Sequence, residues 1–242
     1  MRPLASSHET LEDHIKLCLS YLNTYFLETG YARNVARIIG TSEEEAKRAL
    51  KATVLFHDFG KAADEYQKKS ADKISFPKHE YFSAASALRT FAETGWKTSA
   101  VAAILLHHMA MRGPNLLANF NTWKKYNAPE RATFPDEFIQ SFVAIADEHG
   151  IGNIMNVEIP RTLTLKDVET TVKTIHDKLV KPSEWRANYI LTLRLLRPLL
   201  IVDNLAAAML REGLPKVYVK DLPKPETLKT NAELLKRLTD FF

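Results

Sequence analysis

Apolar positions recur every three or four residues along most of the chain, the spacing of a helix face turned to a core. Leu11, Ile15, Cys18, Leu22 and Phe26 fall on one stripe and predict a helix from about Glu9 to Glu28, ended by Gly30. A short helix from Ala32 to Ile39 closes at Gly40. Thr41-Ser42-Glu43-Glu44-Glu45 sets cap hydroxyls ahead of acidic residues that suit the positive end of a helix, which then runs through Ala46, Leu50 and Val54. Beyond Gly60, Ala62 to Lys69 reads as a polar helical turn anchored by Tyr66. Pro77 marks the first turn of the next helix, which Gly95 ends. Ala100 to Leu106 carries no charge and predicts a helix buried on most sides, capped by Thr98 or Ser99. Further helices follow from Asp136 to Glu148, from a cap at Thr164 to Leu179, and from Ser183 onward, with a kink expected at Pro198.

Glycine is scarce and no series of alternating strands is visible, so the fold class is all-α, a helical bundle. Short extended pieces are expected only within Ile154 to Leu163 and at Val217-Tyr218-Val219. A last helix is expected from Thr230 to Thr239. Gly150-Ile151-Gly152 is the one break where a subdomain boundary would fall. Otherwise 1–242 reads as a single domain, with an extension over 211–242.

At 242 residues and 45% hydrophobic, the chain can bury one sizeable core. A net charge of +4 is compatible with phosphate or nucleic-acid ligands without requiring them. The single cysteine, Cys18, excludes an intrachain disulfide and favours a reducing compartment. No apolar run approaches the roughly 20 residues of a membrane span, and the N-terminus has no apolar signal core. The expectation is a soluble cytoplasmic protein with no membrane partner.

The candidate chemistry lies where polar residues interrupt the apolar pattern. Thr53-Val54-Leu55-Phe56 runs into His57-Asp58, then Phe59-Gly60-Lys61. Neighbours on a helix diverge by about 100°, so His57 and Asp58 converge only if the helix ends there. An imidazole and a carboxylate so presented suit a divalent metal; a buried hydrogen-bonded pair fits these two residues equally well. His14 lies beside the first stripe, where a half-buried histidine holding a carbonyl is the simpler account. His79 sits near a helix start, with Ser83 one turn on. His107-His108 closes an apolar helix; such imidazoles repel if charged and each need a partner if neutral. Asp203 lies within Leu199-Leu200-Ile201-Val202-Asp203-Asn204-Leu205-Ala206, where an unpartnered carboxylate costs roughly several kcal/mol. Arg194 and Arg197 are poorly placed on that helix to pair with it. Together these positions offer more ligands than one tetrahedral zinc takes, and suit two divalent ions that share a carboxylate. Elsewhere, Trp123-Lys124-Lys125-Tyr126 interleaves aromatics with lysines, as a single-strand contact or simply a surface loop would. Lys68, Lys69, Lys73 and Lys78 form a second basic stretch.

The order H…HD…H…HH…D resembles the HD phosphohydrolase superfamily. More narrowly, His57-Asp58-Phe59-Gly60-Lys61 with Ala62 and Tyr66-Gln67, then His79-Glu80-Tyr81-Phe82-Ser83, then His107-His108, is similar to the HD nuclease of type I CRISPR interference. The likeness runs over about residues 10–210. The Gly-x4-Gly-Lys-Ser/Thr loop of a helicase motor is absent, which matches a stand-alone form. The resemblance implies that His14, His57, Asp58 and Asp203 hold one ion, and Asp58, His79, His107 and His108 a second, with Asp58 bridging. It places Lys61 at the scissile phosphate and Ser83 near the substrate. It implies hydrolysis of single-stranded DNA, with RNA a further substrate to test, alongside a separate CRISPR helicase and a guide-RNA surveillance complex. Histidine-rich ligation favours manganese, cobalt, nickel or iron, with magnesium the poorer match. Two other readings share parts of this pattern: an HD enzyme acting on nucleotides or cyclic nucleotides, and a catalytically silent module that recruits a helicase.

Overall fold

The computed structural model describes residues 2–7, 9–68, 74–108, 127–155, 158–180 and 185–210. The chain opens on an antiparallel pair, β1 (Leu4–Ser6) and β2 (Glu9–Thr10). The first helix therefore starts later than its stripe suggests, as α1 (Leu11–Leu22), because Glu9 and Thr10 belong to the strand. Thr10 leaves the strand as helix cap, its hydroxyl accepting the Asp13 N–H. A five-residue π-helical turn, Asn23–Leu27, buries Tyr25, Phe26 and Leu27 before Gly30 turns the chain with φ near +81°.

Next come α2 (Tyr31–Ile39) and α3 (Glu43–Phe56). Ser42 caps α3 by accepting the Glu45 N–H. The Glu45 carboxylate does not reach back to close a capping box; it accepts from the Trp96 indole at 2.8 Å and pairs with Arg48. After α3 a 3-10 turn, Phe59–Ala62, replaces the start of the expected helix, and α4 (Asp64–Gln67) is one turn long. The helix expected from Pro77 begins two residues on, as α5 (His79–Thr90), behind Lys78 in the left-handed region. It ends ahead of Gly95 because Phe91 bridges to Met155 and the Ala92 N–H donates to Ile154. α6 (Lys97–Leu106) starts before Thr98 and Ser99, so neither caps it; the Ser99 hydroxyl instead donates to the Asn188 carbonyl.

α7 (Asp136–Glu148) lies where its pattern put it. β3 (Arg131–Thr133) pairs antiparallel with β4 (Thr162–Thr164), the extended piece expected before the next helix, so the two sides of Gly150-Ile151-Gly152 are joined. α8 (Leu165–Val180) begins with Thr164 and Asp167 capping each other reciprocally. The last described helix, α9 (Trp185–Leu210), carries Pro198 inside it. Proline has no N–H to give the carbonyl four residues back. The Tyr31 hydroxyl supplies that bond, donating to the Arg194 carbonyl at 2.8 Å.

The architecture is all-α with two small strand pairs among the described residues. α1 and α6 both pack on α9, α5 packs on α6, and α3 touches α1, α5, α6 and α9. Behind the α3 terminus, Phe56 and Phe59 stack and meet Phe91, Phe134, Phe138 and Phe142 at centroid distances of 4.5 to 5.8 Å. Each such contact adds about 0.5–1.5 kcal/mol beyond burial. The aromatics thus clamp both sides of His57-Asp58. No described helix is long and apolar enough to cross a membrane. The strand expected at Val217-Tyr218-Val219 and the helix expected at Thr230 to Thr239 lie outside the described residues.

Candidate metal centre

α3 ends at Phe56, and the backbone turns so that neighbouring His57 and Asp58 face one point. That turn needs a glycine: a Cβ on Gly60 would lie 2.2 Å from the His79 carbonyl oxygen. The Gly60 N–H donates to the Ser83 hydroxyl at 2.8 Å. Ser83 is fully buried, and its hydroxyl here holds the turn against α5 rather than facing outward. So α5 approaches closely enough for His79 to reach Asp58.

Three of the imidazoles are set by nearby backbone carbonyls. The Nδ1 atoms of His57, His79 and His107 lie 2.7, 2.7 and 2.6 Å from the carbonyls of Val54, Phe76 and Ile104, each three residues back. A carbonyl only accepts, so each Nδ1 carries a hydrogen. Only Nε2 is left to face the centre. His79 Nε2 is 2.9 Å and His107 Nε2 3.6 Å from Asp58 Oδ1. His57 Nε2 is 3.3 Å and His14 Nε2 3.4 Å from Asp58 Oδ2. His14 Nε2 also lies 3.2 Å from Asp203 Oδ1, with His57 Nε2 at 3.8 Å. His108 Nε2 is 3.3 Å from His79 Nε2. The seven residues form two donor groups, Asp58-His79-His107-His108 and His14-His57-Asp58-Asp203, with donor atoms in each within 4.8 Å of one another. Asp58 belongs to both.

The electrostatics call for cations. Burial holds His79 and His108 below the usual histidine range; beside His108, the neighbouring His107 and His79 act the same way. A neutral His79 with its hydrogen on Nδ1 turns a lone pair toward the Asp58 carboxylate, acceptor against acceptor, and a shared cation would relieve that contact. Nε2 of His57 and of His107 are buried without a hydrogen-bond partner. Burial works against a charge on His57, yet Asp58 and Asp203 outweigh it and push its pKa up to about 10. Burial also penalises the two carboxylates, but His57 with Lys61 holds Asp58, and His14 with His57 holds Asp203, well below the usual carboxylate range. The donor separations, 2.9 to 3.8 Å, bracket those of nitrogen and oxygen ligands about 2.0–2.2 Å from a shared ion, which sit about 3.3–3.6 Å apart at the tetrahedral angle. The residues therefore fit divalent metals.

Lys61 does not point away from this centre. Its Nζ donates to Asp58 Oδ2 at 2.6 Å and is nearly buried. Asp203 has histidine partners: His14 Nε2 at 3.2 Å and His57 Nε2 at 3.8 Å. Two residues that sequence reasoning passed over lie here as well. Glu9, buried on β2, has Oε1 3.7 Å from His14 Nδ1. Cys18 Sγ is 3.6 Å from His14 Nε2 and 3.7 Å from the Val202 carbonyl. The spacing of four between His14 and Cys18 is the signal that could have found the second. Trp123, Lys124, Lys125 and Tyr126 lie outside the described residues, as do Lys69 and Lys73.

A family model described as HD domain matches residues 25–149. That span contains His57, Asp58, His79, His107 and His108; His14 and Asp203 lie outside it. Comparison with curated proteins finds no match. Among solved structures, the chain is similar to the CRISPR-associated Cas3 HD domain protein from Methanocaldococcus jannaschii, with a TM-score of 0.58 and 19% identity over 82% of this chain and 99% of that one.

Proposed function

Since this chain belongs to the HD domain family of metal-dependent hydrolases, we propose that it is a nuclease that cleaves phosphodiester bonds of single-stranded DNA in CRISPR antiviral defence, working with a separate helicase and a guide-RNA surveillance complex. One observation carries this reading: the two oxygens of Asp58 face different histidine sets, Oδ1 toward His79 and His107 and Oδ2 toward His14 and His57. A carboxylate so divided can be shared by two ions, and a pair of ions is one arrangement that hydrolyses phosphodiesters. The likeness to the CRISPR-associated Cas3 HD domain protein of M. jannaschii favours the CRISPR setting.

His14, His57, Asp58 and Asp203 would hold one ion, and Asp58, His79, His107 and His108 the other. Bound there, the pair would lower the pKa of an attacking water and offset charge on the phosphoryl oxygens. The rich imidazole set favours manganese, cobalt, nickel or iron, with magnesium a harder match. The chain's own residues do the positioning. The Val54, Phe76 and Ile104 carbonyls keep hydrogens on Nδ1 and so keep Nε2 available to the centre. Lys61 Nζ, which donates to Asp58, can pass from it to a phosphate oxygen as negative charge builds. Trp123, Lys124, Lys125 and Tyr126 are the proposed strand contacts, and the Ser83 hydroxyl, by accepting the Gly60 N–H, supports the turn that follows His57 and Asp58.

The test offers the purified protein, with manganese or cobalt, labelled single-stranded DNA, duplex DNA, single-stranded RNA and free nucleotides. Cleavage of single strands that a chelator abolishes is expected, and product lengths separate endonuclease from exonuclease action. Turnover of nucleotides with no strand cut would instead assign the chain to HD enzymes of small phosphoesters.

A further inference from the structure

Besides the two groups that share Asp58, the described residues hold a third overlapping set: His14, Cys18 and His57, each offering a donor within 4.8 Å of the others. All three are fully buried. Donors about 2.3 Å (sulfur) and 2.0 Å (nitrogen) from one ion at the tetrahedral angle sit about 3.5 Å apart; Cys18 Sγ and His14 Nε2 are 3.6 Å apart. The cysteine is not the only pointer. His57 Nε2, buried in the same set, has no hydrogen-bond partner, and the thiol itself has only long contacts, to His14 and to the Val202 carbonyl at 3.7 Å. Neither Asp58 nor Asp203 belongs to this set, so it is softer than the groups beside it.

We propose that His14, Cys18 and His57 form a second way of seating a cation at this end of the centre, selective for thiophilic ions such as cadmium or zinc and exclusive of the ion that His14, His57, Asp58 and Asp203 would hold. The proposal rests on the metal-centre reading above. On binding, the Cys18 S–H bond breaks, its proton leaves to solvent, and a sulfur–metal bond forms with no change of oxidation state. Because His14 and His57 each have one Nε2 to give, an ion drawn toward sulfur takes both lone pairs from the neighbouring position. Trace cadmium or zinc would then displace half of the catalytic metal pair.

The experiment titrates cadmium into the full chain loaded with manganese, reading the thiolate-to-cadmium charge-transfer absorption and the bound metals by elemental analysis. The expected result is a charge-transfer band that saturates at one cadmium per chain, with loss of one manganese. Cys18→Ala, checked for fold by circular dichroism, should lose the band, and the wild-type spectrum decides the matter alone if that variant does not fold. Bound cadmium with no thiolate band, or cadmium held alongside two manganese ions, overturns the proposal and leaves the metal centre standing. A chain that takes up neither metal overturns both.

Discussion

At the scale of single residues, Asp58 and Lys61 share one short contact and make different predictions. Asp58 joins the two donor groups, so Asp58→Ala should remove both ions and all hydrolysis, as read by elemental analysis and strand cleavage. An Asp58→Ala protein that cuts normally would show the bridging assignment to be wrong. Lys61 carries charge but belongs to neither donor group. Lys61→Ala should keep its metal and slow turnover by about a hundredfold, the scale of losing one transition-state charge partner. The residues legible in the sequence were those that broke a pattern. His57-Asp58 and His107-His108 interrupt apolar helices, and Asp203 interrupts another. Cys18 was invisible as chemistry because it continued an apolar stripe, and Glu9 because it resembled an ordinary acidic first turn.

At the scale of elements, helix ends decide where the chemistry sits. His57 and His107 each occupy the residue after a helix, and His79 the first residue of one. For His57 and His107 the carbonyl three residues back belongs to the helix that ends there, and for His79 the Phe76 carbonyl comes from the turn just ahead of its helix. α9 is positioned differently. Its Pro198 leaves the Arg194 carbonyl without a helical donor, and the Tyr31 hydroxyl replaces it across 163 residues of sequence. Tyr31→Phe should therefore cost about 1 kcal/mol, the net value of one hydrogen bond, read by urea denaturation. An unchanged midpoint would mean that water serves the carbonyl as well. The proline was readable as an irregularity, but its partner was not, since nothing local in either helix specifies a pairing over that separation. Likewise the early end of α5 depends on Phe91 meeting Met155, a contact that Gly95 gave no hint of.

At the scale of the whole molecule, the bundle gathers five histidines and two aspartates in one place, so pH acts there. The folded pKa of His57, about 10, lies above its ordinary 6.5. Its attraction to the Asp58 and Asp203 carboxylates, 3.3 and 3.8 Å away, therefore stabilises the metal-free protein fully below pH 6.5 and fades as pH rises through 10. The carboxylates are depressed, so their share is present above about pH 3.8 and is lost as acid passes below it. In chelator, the melting temperature should fall between pH 6.5 and 10, and fall less in His57→Gln; equal slopes would remove His57 from this account. The all-α class and the region of the site were readable because helical periodicity and its interruptions are local. The convergence of His14 and Asp203, at opposite ends of the described chain, was reached only by resemblance. A last consequence follows from the three carbonyls that fix His57, His79 and His107. The orientation of those rings is settled by hydrogen bonds made while the backbone folds, before any ion arrives. Loading should then resemble filling a rigid receptor more than organising a loose one: fast and reversible, with amide exchange across α3, α5 and α6 nearly the same before and after.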